Sequence, residues 1–154
     1  MSLADEFEAF YRDVVAQGYT TGDPELMARV GDFEAQAIGF GFRDESARDH
    51  ASIFGDAAGF ADAMQRFRSG LEHYSAEVHE MHEISHGNIV VAWGRFTEHF
   101  QHPGLAPEIA RVRFSVVAEK TDDGWRELFY HREIQPFDRD GRYSRSLTAA
   151  EPVA

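Results

Sequence analysis

The stretch Asp122 to Pro136, DDGWRELFYHREIQP, decides how this chain is read. Asp123-Gly124 supplies a turn, because Gly adopts positive φ freely and Asp tolerates it. The residues after it run without Gly or Pro until Pro136, which has no N–H for a ladder and ends the pairing. Side chains alternate on a strand, so Trp125, Glu127, Phe129, His131 and Glu133 are expected on one face. An aromatic, histidine and carboxylate series on one face suits the wall of a pocket. His131 is its best acid–base candidate, since an imidazole titrates near neutral pH. Glu133, two residues on, could orient the ring or act as the base itself.

The turn sets which neighbours His131 has. If Asp123 and Gly124 alone form the loop, His131 lies opposite Val116 and Glu133 opposite Phe114 in the preceding strand. If Asp122 joins them, His131 faces Ser115 and Glu133 faces Arg113, but Glu119 then meets Glu127. The pattern leans to the first register, an apolar wall around one histidine. In the second, Arg113 could stabilise a developing negative charge.

Outward from that strand, Arg111 to Lys120 reads as its hairpin partner. Asn88 to Gln101 (NIVVAWGRFTEHFQ) reads as another strand by its β-branched and aromatic content. His102-Pro103-Gly104 opens a loop to about Ile109. Toward the N-terminus, Phe7, Phe10, Tyr11, Val14 and Val15 recur at helical spacing, predicting a helix over Ser2 to Gln17 that stops at Gly18. Asp23 caps a second helix, Pro24 to Val30. Glu34 to Phe42 reads as extended, with Gly39 and Gly41 marking a bulge or close approach. RDESARDHASIFGD has no clean period and reads as a connection. Asp56 caps a third helix to about Leu71. Helices first and then a meander of long strands is an α+β order. The domain is expected over 1–137, with a tail over 138–154.

Composition narrows the function classes. A chain of 154 residues supports one core, and a net charge of −12 disfavours nucleic acid and anionic membranes as partners. There is no Cys, hence no disulfide framework and no thiolate nucleophile. No signal peptide and no run of transmembrane length is read, so a soluble cytoplasmic protein is expected.

His82-Glu83-Ile84-Ser85-His86 matches the H-E-x-x-H pattern of zinc hydrolases, which requires both histidines on one helical face. Gly87-Asn88 follows at once, and Ile84 and Ser85 are poor helix formers. On a strand, Glu83 would point away from both histidines. Ser75 to His86 is left open between helix and strand by its pattern alone.

The order FEAFYRDVVAQGYTTGDPELMARV, AIGFGFRDE, GNIVVAWGRF, RVRFSVVAEKTDDGW and LFYHREIQP resembles the SnoaL-like branch of the nuclear-transport-factor-2-like superfamily over about residues 4 to 137. The Gly-Trp six residues before His131 carries most of the likeness, with the Gly-Asp-Pro between the first helices. That family commonly continues His-x-Ser-x-Pro, where this chain has Glu133. The resemblance implies a curved antiparallel sheet wrapped on a long helix around a cone-shaped apolar cavity. It also implies a homodimer and makes Ser75 to His86 a strand. The implied function is binding of an apolar small molecule, with isomerase, cyclase or dehydratase chemistry as the enzymatic version. That version uses His131 and Glu133 as the acid–base pair, Trp93, Trp125, Phe129 and Tyr11 as pocket residues, and Arg113 beside them. It calls for no metal or redox cofactor. A non-catalytic binding or dimer-forming module is the alternative, and a zinc hydrolase through His82-Glu83-x-x-His86 the third reading.

Overall fold

The computed structural model describes residues 1–40 and 56–135. Helix α1 begins as Leu3–Phe10, widens into a π-helical stretch Tyr11–Ala16 and finishes as Gln17–Thr21. Ser2 starts it with a reciprocal cap: the Asp5 N–H donates to Ser2 Oγ at 3.1 Å and the Ser2 N–H donates to Asp5 Oδ2 at 3.0 Å. The helix runs past Gly18, where the sequence suggested an end. Gly18 is a contact residue, since a Cβ there would come 3.0 Å from Val30 Cγ2. The stop is Gly22, in the left-handed region at φ 66°.

Helix α2, Pro24–Glu34, is capped by Asp23, whose Oδ1 accepts from the N–H groups of Glu25 and Leu26. It is longer than the expected Pro24 to Val30, because Phe33 continues its buried stripe of Met27 and Val30. Glu34 therefore ends a helix instead of opening a strand. The short strand β1, Ile38–Phe40, follows, then helix α3, Ala57–Ser69, capped by Asp56. Residues 41–55, Pro136 and the tail expected over 138–154 lie outside the described residues.

Strands β2 (His73–His86), β3 (Ile89–Gln101), β4 (Glu108–Thr121) and β5 (Gly124–Gln135) form an antiparallel meander, and β1 adds in parallel beside β5. Ser75 to His86 is thus a strand. The α+β fold class expected from the sequence is the one observed. Helix α1 packs its Phe7, Tyr11 and Val15 onto the inner sheet face, against Val90, Val112, Phe114 and Val116. Trp125 closes this core edge-on to Phe7, their ring centres 4.9 Å apart.

Two irregularities shape the sheet. One lies between Val78 and Met81 of β2, opposite Gly94, where a Cβ would fall 2.0 Å from the Glu80 carbonyl oxygen. The other decides the site. Near the turn Thr121 pairs with Gly124, so the loop is Asp122-Asp123 and neither expected turn forms. Between Val117 and Ala118 the register then shifts, with Leu128 as the extra residue of a bulge in β5. Beyond it Ser115 pairs with His131 and Arg113 with Glu133. This corrects the favoured Val116–His131 register. The like-charge clash held against the alternative is removed by the bulge, which sets Glu119 opposite Arg126, where the two form an ion pair.

Candidate functional site

The bulge at Leu128 reverses the side-chain parity of β5. Trp125 and Glu127 point inward and are buried, while Phe129 pairs with Val117, and His131 and Glu133 are exposed on the outer face. Tyr130 and Arg132 take the inward positions in their place. The expected single face of five residues is therefore split between the two sides of the sheet.

On the inner side, between the helices and the far end of the sheet, lies a cavity of about 540 Å³. Tyr11, Val15 and Tyr19 of α1 form one wall. Phe60, Met64 and Phe67 of α3 form a second, and Tyr74, Phe96 and Phe100 of the sheet a third. Glu34 enters from the end of α2, and Tyr130 and Arg132 from β5.

Two polar pairs face this apolar space. The Tyr19 hydroxyl donates to Glu34 Oε2 at 2.5 Å. The Tyr74 hydroxyl donates to Glu98 Oε1 at 2.8 Å, and Arg132 donates to both Glu98 oxygens, at 3.3 and 2.7 Å. The Arg132 guanidinium also lies 5.7 Å from the centre of the Phe96 ring. Burial raises the Glu34 pKa to about 7, against the opposing pull of the Tyr19 hydrogen bond and the Arg132 charge. Burial also raises the Tyr11 and Tyr19 pKa values well above the usual phenol range, so both stay neutral. Behind the wall sits Glu127, only 1% exposed, with no hydrogen-bond partner at either carboxyl oxygen. Burial first, and then the charge of Glu34, push its pKa well up. A carboxyl that titrates near neutral pH beside a second whose pKa is also raised by burial is an arrangement suited to moving a proton.

Of the residues singled out in the sequence, Tyr11 lines this cavity. Trp125 is buried in the core against Phe7 and Phe10, under the Lys120 ammonium, and borders a separate shallow pocket. Trp93 is 41% exposed on the outer face, stacked on His82 with ring centres 5.8 Å apart. Arg113 and Glu133 form a loose outer-face ion pair at 3.7 Å, both more than half exposed. The sheet brings His131, Ser115, Trp93 and His82 into one lateral row on that face. None of His131, Glu133, Trp93, Arg113 and Phe129 is among the residues lining the cavity. His82 and His86 are exposed and Glu83 is directed inward on β2, so the H-E-x-x-H stretch lacks the helical geometry zinc hydrolysis needs. Among the described residues no group of three or more His, Asp or Glu is placed to hold a metal ion.

Glu34, Glu98, Glu127, Tyr130 and Arg132 were not singled out as functional. Glu127 had a visible signal, a carboxylate between Trp125 and Phe129 on a face read as aromatic. Tyr130 and Arg132 had none, because the bulge that turns them inward leaves no Gly or Pro in the sequence.

No protein-family model matches the chain, and no curated protein matches its sequence. Solved structures do resemble it. A nuclear transport factor 2-like superfamily protein from Salmonella enterica serovar Typhimurium superposes with a TM-score of 0.63 at 12% identity, covering 94% of each chain. A Novosphingobium aromaticivorans protein provisionally assigned as a scytalone dehydratase gives 0.65 at 10% identity over 95% of each chain. The CaMKII hub of S. rosetta gives 0.65 at 14% identity, over 87% of this chain and 98% of that one. Such low identity establishes architecture and leaves chemistry to the site. The chain has the nuclear-transport-factor-2-like fold.

Proposed function

We propose that this protein binds an apolar small molecule in the inner cavity and acts on it by acid–base chemistry of the isomerase or dehydratase type. Glu34 is the proton-transferring group, in place of His131. The observation that carries this reading is the Tyr19–Glu34 pair, a carboxyl with a pKa of about 7 at the wall of a largely apolar cavity. At that pKa the carboxylate and the acid are both populated near neutral pH, so one group can take a proton and return it. Tyr19 holds the carboxyl in place. Tyr11 and Tyr130 bring hydroxyls that could hydrogen-bond an oxygen gaining charge. The likeness to a provisionally assigned scytalone dehydratase fits this chemistry, and the sequence pattern favours the SnoaL-like branch.

Deuterium uptake by cyclic ketones in D₂O, read by mass spectrometry, tests the role without knowledge of the natural substrate. Wild-type protein is expected to accelerate exchange next to the carbonyl, Glu34→Gln to lose the acceleration and His131→Ala to keep it. Acceleration that survives Glu34→Gln and disappears in His131→Ala would return the role to the outer face.

A second property has its own support. On the outer face Trp93 and the 61%-exposed Ile84 lie beside ion pairs that balance internally, Arg95–Glu80, Arg113–Glu133 and Arg126–Glu119. In a chain of net charge −12, such a balanced apolar face lets two copies approach with little repulsion. Homodimer formation through this face is the proposed assembly, and the likeness to a CaMKII hub is in keeping with it.

A further inference from the structure

Glu127 is the one acidic or basic side chain buried in the described core, and the chemistry proposed above leaves it without a part. No donor reaches either of its oxygens, so a carboxylate there is a bare charge in an apolar core, which is strongly disfavoured. A protonated carboxyl carries one O–H instead, and a buried O–H needs an acceptor. The topology locates that acceptor. Strand β1 runs parallel to β5 with Ile38 opposite Phe129, which brings the end of α2 alongside the part of β5 that holds Glu127. Phe33, just before Glu34, shares the core cluster of Trp125, just before Glu127 on the inner side. Beyond Glu127 comes Tyr130, which lines the cavity together with Glu34. Among the described residues, the titratable groups facing Glu127 are Glu34 from α2, Tyr11 from α1 and Tyr130 of its own strand. Arg132 is turned onto Glu98. Of the oxygens in reach, a carboxylate is the strongest acceptor.

We propose that Glu127 keeps its proton and donates that O–H to the Glu34 carboxylate, as a positioning residue for the proton-transferring group. This deepens the acid–base reading above and rests on it. A carboxylate accepts at about four lone-pair sites, so the bond adds to every other contact of Glu34 and displaces none. In the transfer itself the substrate's proton goes to Glu34 and returns from it, while Glu127 holds its own throughout. A donor to the charged form favours that form, so the bond works against the desolvation that raises the Glu34 pKa.

The test follows the side-chain carboxyl carbon resonances of Glu34 and Glu127 through a pH titration. In wild type, Glu127 is expected to hold the shift of a protonated carboxyl across the Glu34 transition. Glu127→Met removes the donor and should raise the Glu34 midpoint by about one pH unit, a tenfold change in its ionisation. Glu127→Gln keeps a neutral N–H donor and should leave the midpoint close to that of wild type. A midpoint lowered in Glu127→Met would mean that Glu127 carries a charge repelling Glu34, and an unmoved one that the two do not meet. Either result overturns the proposal. The pH profile of deuterium exchange should move with the Glu34 midpoint. Exchange accelerated by wild type but with an unchanged profile in Glu127→Met refutes the positioning role and leaves the acid–base reading standing. No acceleration in wild type refutes that reading, while a raised midpoint still upholds the bond.

Discussion

The ionisation of Glu34 ties the site to the stability of the whole fold. Its pKa is about 7 in the folded protein against an ordinary value of 4.5, because burial penalises the charged form. For a group whose folded pKa is raised, the stabilising contribution is complete below pH 4.5 and is lost as pH rises through 7. Within that window the unfolded chain releases a proton that the folded one retains, so stability falls by about 1.4 kcal/mol per pH unit. Over roughly 2.5 units the loss comes to about 3 kcal/mol, a substantial part of a small domain's margin. Glu34→Gln keeps an oxygen to accept from Tyr19 and removes the titration. Urea unfolding midpoints at half-unit steps from pH 4.5 to 8 give the comparison, with the slope m as the check that the unfolding transition itself is unchanged. Wild type should lose about 3 kcal/mol more than Glu34→Gln across the window and run parallel to it above pH 7. Parallel curves throughout would mean that Glu34 ionises as an ordinary surface carboxyl. Its assignment as the proton-transferring group would then fail.

Other expectations are more local. Glu127→Met replaces two unpartnered buried carboxyl oxygens with an apolar chain of similar length, so it should raise the urea midpoint, and more at pH 8 than at pH 5. Gly94→Ala forces a Cβ onto the Glu80 carbonyl and should cost about 3 kcal/mol or more, read as a lowered melting temperature. Ser2→Ala removes the cap of α1 and should cost about 1 kcal/mol in urea unfolding. Trp93→Glu puts a charge on the outer face, and sedimentation velocity should show dimer giving way to monomer; an unchanged dimer would place the interface elsewhere.

The elements of this fold follow from periodic signals that local chemistry reinforces. Phe7, Tyr11 and Val15 mark one side of α1, Asp23-Pro24 marks the start of α2, and the alternation of Val90, Ala92 and Phe96 marks the inner side of β3. Element ends were less legible where a residue serves two purposes. Gly18 has the chemistry of a stop but is used for close helix packing, and Glu34 has the polarity of a loop residue but closes a helix at the cavity wall. The site was least legible, since it depends on parity along β5, and one inserted residue reverses parity for everything after it. Leu128 is an ordinary strand former, so nothing in its identity announces a bulge.

Pair energetics across β4 and β5 do favour a bulge. An unbroken two-residue loop at Asp123-Gly124 leaves Arg113 without Glu133 opposite, and a three-residue loop sets Glu119 against Glu127. Only a register that changes partway gives both Glu119–Arg126 and Arg113–Glu133. Exposed pairs of this kind contribute little singly, about 1 kcal/mol or less each. Burial weighs more: the bulge keeps Trp125 in the core against Phe7 while turning Tyr130 and Arg132 toward the cavity and His131 toward solvent. With unbroken parity, Trp125 and His131 would have to share a face, and the Arg132–Glu98–Tyr74 network could not form. The same strand thus seals the core at its turn end and lines the cavity at its far end, and Leu128 is where it changes from one task to the other.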